Sequence, residues 1–219
     1  MVKKSIITES RLIEFYMDYV LKHNKQPASV YIFSKENNFD EALFYNFYAN
    51  FNAVEKSIFN EFFKNTLQIL TKNDDYETYD SRTKLLSFYY TFFENLTANR
   101  SYVVYALNKH KNSLKNLSAL QELKKSFLAF IDTLEFETFK IEQETIAKMQ
   151  EMGIKESYWI QLLLTLKFWL DDSSAGFEKT DIFIEKSVNT SFDLMDIKPL
   201  KSAIDFGKFL LKEKMNFKV

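Results

Sequence analysis

An all-α fold is predicted by two features of this 219-residue chain. It holds only three glycines and two prolines, too few for the tight turns of a sheet protein or for a glycine-rich phosphate loop. Its apolar residues recur at i, i+3 and i+4 through most of its length, which is the period of one helix face. Hydrophobic residues make up 46% of the chain, enough for a sizeable core, and the length suits one large domain or a small head joined to a larger body. The net charge is −1, so nothing global demands a polyanionic partner or a membrane surface. There is no cysteine, which removes disulfides, thiolate metal sites and cysteine nucleophiles together.

The elements follow in order. Residues 8–24 are predicted as a helix, with Leu12, Ile13, Tyr16, Tyr19 and Val20 on one face and Thr8 or Ser10 as the cap. Pro27 is expected to stop it, because the residue before a proline disfavours helical geometry. A short second helix covers 29–35. The Asn37-Asn38-Phe39 stretch is a turn, since asparagine tolerates positive φ. Asp40 is then a good cap for a third short helix reaching about Phe47. Ala49-Asn50 breaks the chain, and a long fourth helix runs over 52–70. The polar TKNDDYETYDS stretch is a boundary, and 82–97 is a helix loaded with aromatics. Further helices are expected near 99–111, 116–151, 154–171, 178–193 and 199–214, separated in part by Gly153, the DDSSAG stretch and Pro199.

Three short helices, an aromatic knot and a long fourth helix resemble the head of the TetR family of transcriptional regulators. The match runs without a gap from Ser29 to Val54. Ser29-Val30 stands where the family has Thr-Val, Phe33-Ser34 where it has Ile-Ala, and Asn38-Phe39-Asp40 where it has Gly-Val-Ser. The stretch from Ala42 to Tyr48 stands at Gly-Thr-Leu-Tyr-x-His-Phe, and that from Asn50 to Val54 at Ser-Lys-Glu-x-Leu. The resemblance implies a helix-turn-helix head at 1–52 and a helical ligand-binding and dimerisation domain at 53–219. It implies a ligand-responsive regulator that binds DNA as a homodimer, with no cofactor and no enzymatic activity. By the same resemblance Val30, Phe33, Phe39, Phe44 and Tyr48 form the head's core. Ser29 and Tyr45 would bond to phosphates, Asn46 would read a base edge, and Lys25 and Lys35 would supply charge.

The departures from the family pattern concern charge. The family's recognition-helix threonine is Leu43, and the lysine opening its fourth helix is Phe51, so a hydroxyl and a phosphate-pairing charge are lost. Over residues 1–60, seven cations (Lys3, Lys4, Arg11, Lys22, Lys25, Lys35 and Lys56) face seven acids (Glu9, Glu14, Asp18, Glu36, Asp40, Glu41 and Glu55). Phosphate neutralisation supplies much of the affinity for DNA. A neutral head therefore keeps a second reading open: a TetR-fold protein without DNA binding that holds a lipid or another apolar small molecule.

In the body, Phe88, Tyr89, Phe92, Tyr102, Tyr105 and Phe130 are expected to wall an apolar ligand pocket, with a solid aromatic core as the alternative. The helices at 154–171 and 178–193 are expected to form a two-fold dimer bundle through Trp159, Leu163, Leu166, Trp169, Phe177 and Ile184. The same composition suits a hairpin buried within one chain. Catalysis finds no foothold. The only histidines, His23 and His110, have no metal-ligand neighbour at i+3 or i+4, and no Glu-x-x-His pair, phosphate loop or nucleophile motif occurs. The acidic run Glu135, Glu137, Glu142 and Glu144 reads as a solvated face. The start, MVKKSIITESRLIEF, lacks the apolar run of a signal peptide, and YWIQLLLTLKFWL is interrupted by Gln161 and Lys167 and too short to span a bilayer. A cytoplasmic protein is expected.

Overall fold

The computed structural model describes residues 7–109, 116–135 and 144–196, together with Phe209. Among the described residues there are nine α-helices and no strand, as the glycine and proline counts require. The expected helix at 199–214 lies outside the described residues except for Phe209, and so do His110, Lys3 and Lys4.

Helix α1 spans Glu9–His23 and is capped by Thr8, whose side chain accepts the Arg11 N–H at 3.2 Å. It stops at Asn24, which takes the left-handed conformation at φ 50°. The stop is therefore made before Pro27, by a short polar side chain that tolerates that region. Helix α2 (Val30–Glu36) is capped by Ser29, and α3 (Glu41–Tyr45) by Asp40, which accepts the Ala42 N–H at 3.1 Å. The turn between them has Asn38 at φ 57°. Helix α3 ends earlier than its sequence pattern suggests because the N–H groups of Phe47 and Tyr48 both fold back onto the Phe44 carbonyl. Asn50 then caps α4 (Phe51–Leu70), accepting the Ala53 N–H at 3.0 Å.

The chain divides into two compact units. One comprises residues 1–69 and 92–126, the other 70–91 and 127–219. The first unit contains α1 to α4, the end of α5 (Ser81–Ala98), α6 (Arg100–Asn108), a 3-10 turn at Leu117–Leu120 and the start of α7 (Gln121–Asp132). Phe33 is fully buried at its centre, edge-on to Tyr16, Tyr19, Phe39, Phe44 and Phe51. The expected head core of Phe33, Phe39, Phe44 and Tyr48 is buried, and Val30 is half-buried.

In the second unit, Phe88 and Phe130 (5.0 Å between ring centres), Phe127 and Trp159 build an aromatic core. Helix α8 is longer than the sequence suggests: it runs over Glu144–Asp171 straight through Gly153. A glycine costs only about 1 kcal/mol in a helix interior. Gly153 is exposed with open space around it, and Tyr158, Trp159 and Leu162 anchor the turns that follow. The expected helix over 116–151 is not continuous. Helix α7 ends at Asp132, where the N–H groups of Thr133 and Leu134 bond to the carbonyls of Phe130 and Ile131.

Helix α9 (Glu178–Asp196) packs back along α8. Their connection is organised by one carboxylate. Asp172 accepts the backbone N–H and hydroxyl of Ser174 and the backbone N–H and hydroxyl of Thr180, at 2.7–3.0 Å. Deeper in the pair, the buried Gln161 donates to Ser187 and accepts from Ser191. No helix among the described residues is long and apolar enough to cross a membrane.

Burial pushes the Asp172 carboxyl up, but the four hydrogen bonds from Ser174 and Thr180 outweigh it and hold the pKa at about 2. An unfolded aspartate titrates near 3.9. The carboxylate therefore contributes stability that is present above about pH 4 and is lost as the pH falls through about 2. Asp172→Asn should lower the melting temperature at pH 7 and weaken its fall between pH 4 and pH 2. Thermal melts across that range, wild type against variant, measure both effects.

Candidate functional site

Where the start of α2 approaches the start of α4, the first unit carries an open groove of about 520 Å³. Its walls include Gln26, Ser29, Tyr45, Asn50 and Asn52, and no charged residue lines it. Two of the five side chains expected at DNA, Ser29 and Tyr45, meet here. Ser29 Oγ accepts the Ile32 N–H at 3.2 Å, which leaves its hydroxyl proton free to donate. Tyr45 is 54% exposed, with its hydroxyl 3.4 Å from Glu41 Oε1. Asn46 is the exposed C-cap of α3, next to the groove. Lys25 is exposed just before Gln26. Lys35 lies at the far end of α2, with its ammonium 5.5 Å from the centre of the Tyr31 ring.

Asn50 and Asn52 belong to this groove and sequence reasoning did not single them out. The signal was present as two amides flanking the first residue of a long helix, where backbone N–H groups have no helical partner. Together with the hydroxyls of Ser29 and Tyr45 they form a set of neutral donors suited to an oxyanion such as a phosphate. Phe51 does not take the exposed, charge-bearing role of the family's lysine. It is buried, with its ring 5.3 Å from Phe44, 5.4 Å from Phe33 and 5.5 Å from Tyr16. Its loss of charge is thus a gain of core.

The side chains expected at a dimer face lie mostly inside the second unit. Trp169 and Ile184 are fully buried, Trp159 and Leu166 are buried, and Leu163 and Phe177 are half-buried. The exposed apolar residues are their neighbours: Ile160, Leu164 and Phe168 at i, i+4 and i+8 on α8, and Ile182 on α9. Phe168 stacks on Phe183 at 4.6 Å. Both line an open groove of about 540 Å³ with Ile182, flanked by Lys179 and Lys186.

The residues expected around a ligand divide between the units. Phe88, Tyr89 and Phe130 are buried in the second; Phe92 and Tyr102 are buried in the first, with Tyr105 half-buried. The first unit also holds a polar cluster that the sequence did not announce. Tyr16 on α1 donates to Glu55 Oε1 on α4 at 2.5 Å, and Lys109, just past α6, donates to the same oxygen at 2.6 Å. Burial and then the neighbouring Glu55 charge push the Tyr16 hydroxyl far above its usual range. No group of acidic or histidine side chains among the described residues is arranged to hold a metal ion.

These elements define a helix-turn-helix head followed by a larger helical bundle. A family model described as "Tetracyclin repressor-like, C-terminal domain" matches residues 84–210, more than half of the chain. The chain belongs to the TetR family, and its all-α fold is the TetR-like one. No curated protein matches it.

Because Phe51 packs on three rings, Phe51→Lys should unfold or loosen the head rather than recover a phosphate contact. The expected cost is at least the ~3–5 kcal/mol typical of removing a buried phenylalanine. Chemical denaturation followed by circular dichroism measures it; a loss below about 1 kcal/mol would contradict the assignment of Phe51 to the core.

Proposed function

We propose that this protein is a dimeric, ligand-responsive transcriptional regulator acting in the cytoplasm. In this reading residues 1–52 contact DNA, and residues 53–219 hold an apolar ligand and join two chains. The observation that carries it is family membership together with the groove that gathers Ser29, Tyr45, Asn50 and Asn52 beside the exposed Asn46. The hydroxyls and amides bond to phosphates and fix register. Asn46 reads an adenine edge in the major groove. Lys25 adds charge at the rim, and Lys35 more distantly. No catalytic role is assigned.

One observation favours the second reading, a ligand-holding protein that has left DNA. The groove has no cation, and Asp40 and Glu41 sit at the start of α3. A selection from a random duplex pool at low salt separates the two. The regulator enriches a palindrome, and its affinity falls only shallowly with salt, since the slope follows the number of phosphates neutralised. Asn52→Lys, an exposed change in the groove, should tighten binding and steepen that slope by about one unit. Enrichment of nothing by wild type and variant alike would discard the regulator and leave the ligand-holding reading.

The dimer face of this reading is the exposed stripe of Ile160, Leu164, Phe168 and Ile182, which in two copies forms a four-helix contact. Ile160→Glu with Leu164→Glu places charge on that stripe without touching the α8–α9 core. Sedimentation should show wild-type dimers and variant monomers of unchanged helicity. A dimer that survives both substitutions would move the interface elsewhere.

A further inference from the structure

We propose that the groove where Phe168 of α8 meets α9 binds an apolar anion, an aliphatic chain that ends in a carboxylate. The proposal rests on the ligand-holding part of the function above and names the class of ligand and its place.

The groove lies wholly within the second unit, and its volume of about 540 Å³ is in the range of small-molecule sites. Its floor is aromatic. Phe168 and Phe183 lie nearly parallel, with 14° between their planes and 4.6 Å between ring centres. Ile182 also lines the groove and is 50% exposed. Covering such a surface with an aliphatic chain removes apolar area from water, which is favourable and grows with the area covered.

The rim is cationic. Lys179 and Lys186 both line the groove and both are exposed. Seven residues separate them, about two turns of one helix, so they share a face. Neither forms an ion pair among the described residues. Lys155 and Lys167 of α8, by contrast, each reach a carboxylate at 2.5–2.9 Å. Glu178, Asp181 and Glu185 also belong to α9, yet none of them lines the groove. The Ser187 hydroxyl in its wall is committed to Gln161 and the Ile184 carbonyl.

Two uncompensated ammonium groups beside an apolar floor suit a ligand with a negative head and an aliphatic tail. An alkylammonium with the same tail would bring a third positive charge to the rim. Phe168 and Ile182 also belong to the proposed dimer stripe, so the anion and a second copy compete for these two side chains. A palindrome needs two joined heads, so the anion acts as a signal that lowers DNA affinity.

The test uses the full chain. Calorimetry compares decanoate, octanoate and decylammonium, and sedimentation follows the dimer with and without decanoate. Wild type should bind decanoate saturably, at least about tenfold more tightly than decylammonium and about fourfold more tightly than octanoate, the scale of two half-covered methylenes. Lys179→Gln with Lys186→Gln changes two exposed positions and should keep the wild-type circular dichroism. It should weaken decanoate binding at least about fivefold, the scale of two exposed ion pairs. Decanoate should convert wild-type dimers to monomers. Equal affinity for decanoate and decylammonium, no gain with chain length, no loss in the glutamine variant, or binding that leaves dimers intact would each overturn the site. Binding only to vesicles of anionic phospholipid would overturn it too and make this face a membrane contact. If wild type is a monomer yet binds decanoate as described, the site stands and the dimer falls. If it is a dimer that neither binds decanoate nor dissociates, the dimer stands and the site falls.

Discussion

The ring of Phe33 meets five aromatic neighbours edge-on, at centre distances between 5.4 and 6.4 Å. Those neighbours come from α1 (Tyr16 and Tyr19), the turn after α2 (Phe39), α3 (Phe44) and the first residue of α4 (Phe51). Edge-to-face pairs contribute about 0.5–1.5 kcal/mol each beyond the area they bury. Helices α2 and α3 have seven and five residues, far too short to be stable alone. They are held because Phe33 and Phe44 are shared with longer elements. The groove residues depend on this packing. Ser29 caps α2, Tyr45 ends α3, and Asn50 caps α4, so each sits at a helix end whose position the Phe33 ring determines.

Around this apolar centre a few polar bonds fix register. Tyr48 on the approach to α4 donates to Glu9 at the start of α1 and accepts from Ser57. Tyr16 and Lys109 converge on Glu55. In the second unit Gln161 with Ser187 and Ser191, and Asp172 with Ser174 and Thr180, do the same for α8 and α9. Aromatic and aliphatic contacts tolerate sliding, whereas a buried hydrogen-bonded group is costly when its partner moves. These bonds therefore select one arrangement among several that would bury similar area.

Much of the fold was legible in the sequence because helix ends carry local signals. Thr8, Ser29 and Asp40 are good caps by side-chain chemistry alone, and each caps in the structure. Asn38 was legible as a turn for the same reason. Gly153 misled because its local cost is small and the packing of Tyr158 and Trp159, which overrides it, is not local. The exposed face of α8 was not legible. In YWIQLLLTLKFWL the polar Gln161 and Thr165 lie on the buried side and only Lys167 marks the outer side, while Trp159 and Trp169, which look like interface residues, turn inward. Phe51 shows the limit of reading by resemblance: position suggested a lost phosphate contact, and only three neighbouring rings reveal a core residue. The Glu55 cluster joins positions 16, 55 and 109, which no spacing rule connects.

The central claim is that one aromatic centre holds α1, α2, α3 and the start of α4 as a single cooperative piece. Hydrogen exchange of the full chain, read segment by segment, tests it most directly when wild type is compared with Phe33→Leu. The account predicts that amide protection in 9–23, 30–36, 41–45 and the first turns of 51–70 falls together, by a similar factor in each. Protection in 158–171 and 178–194 should stay near that of wild type. Loss confined to residues 30–36, with α1, α3 and α4 unaffected, would show that the head is not organised around Phe33 and would contradict the account.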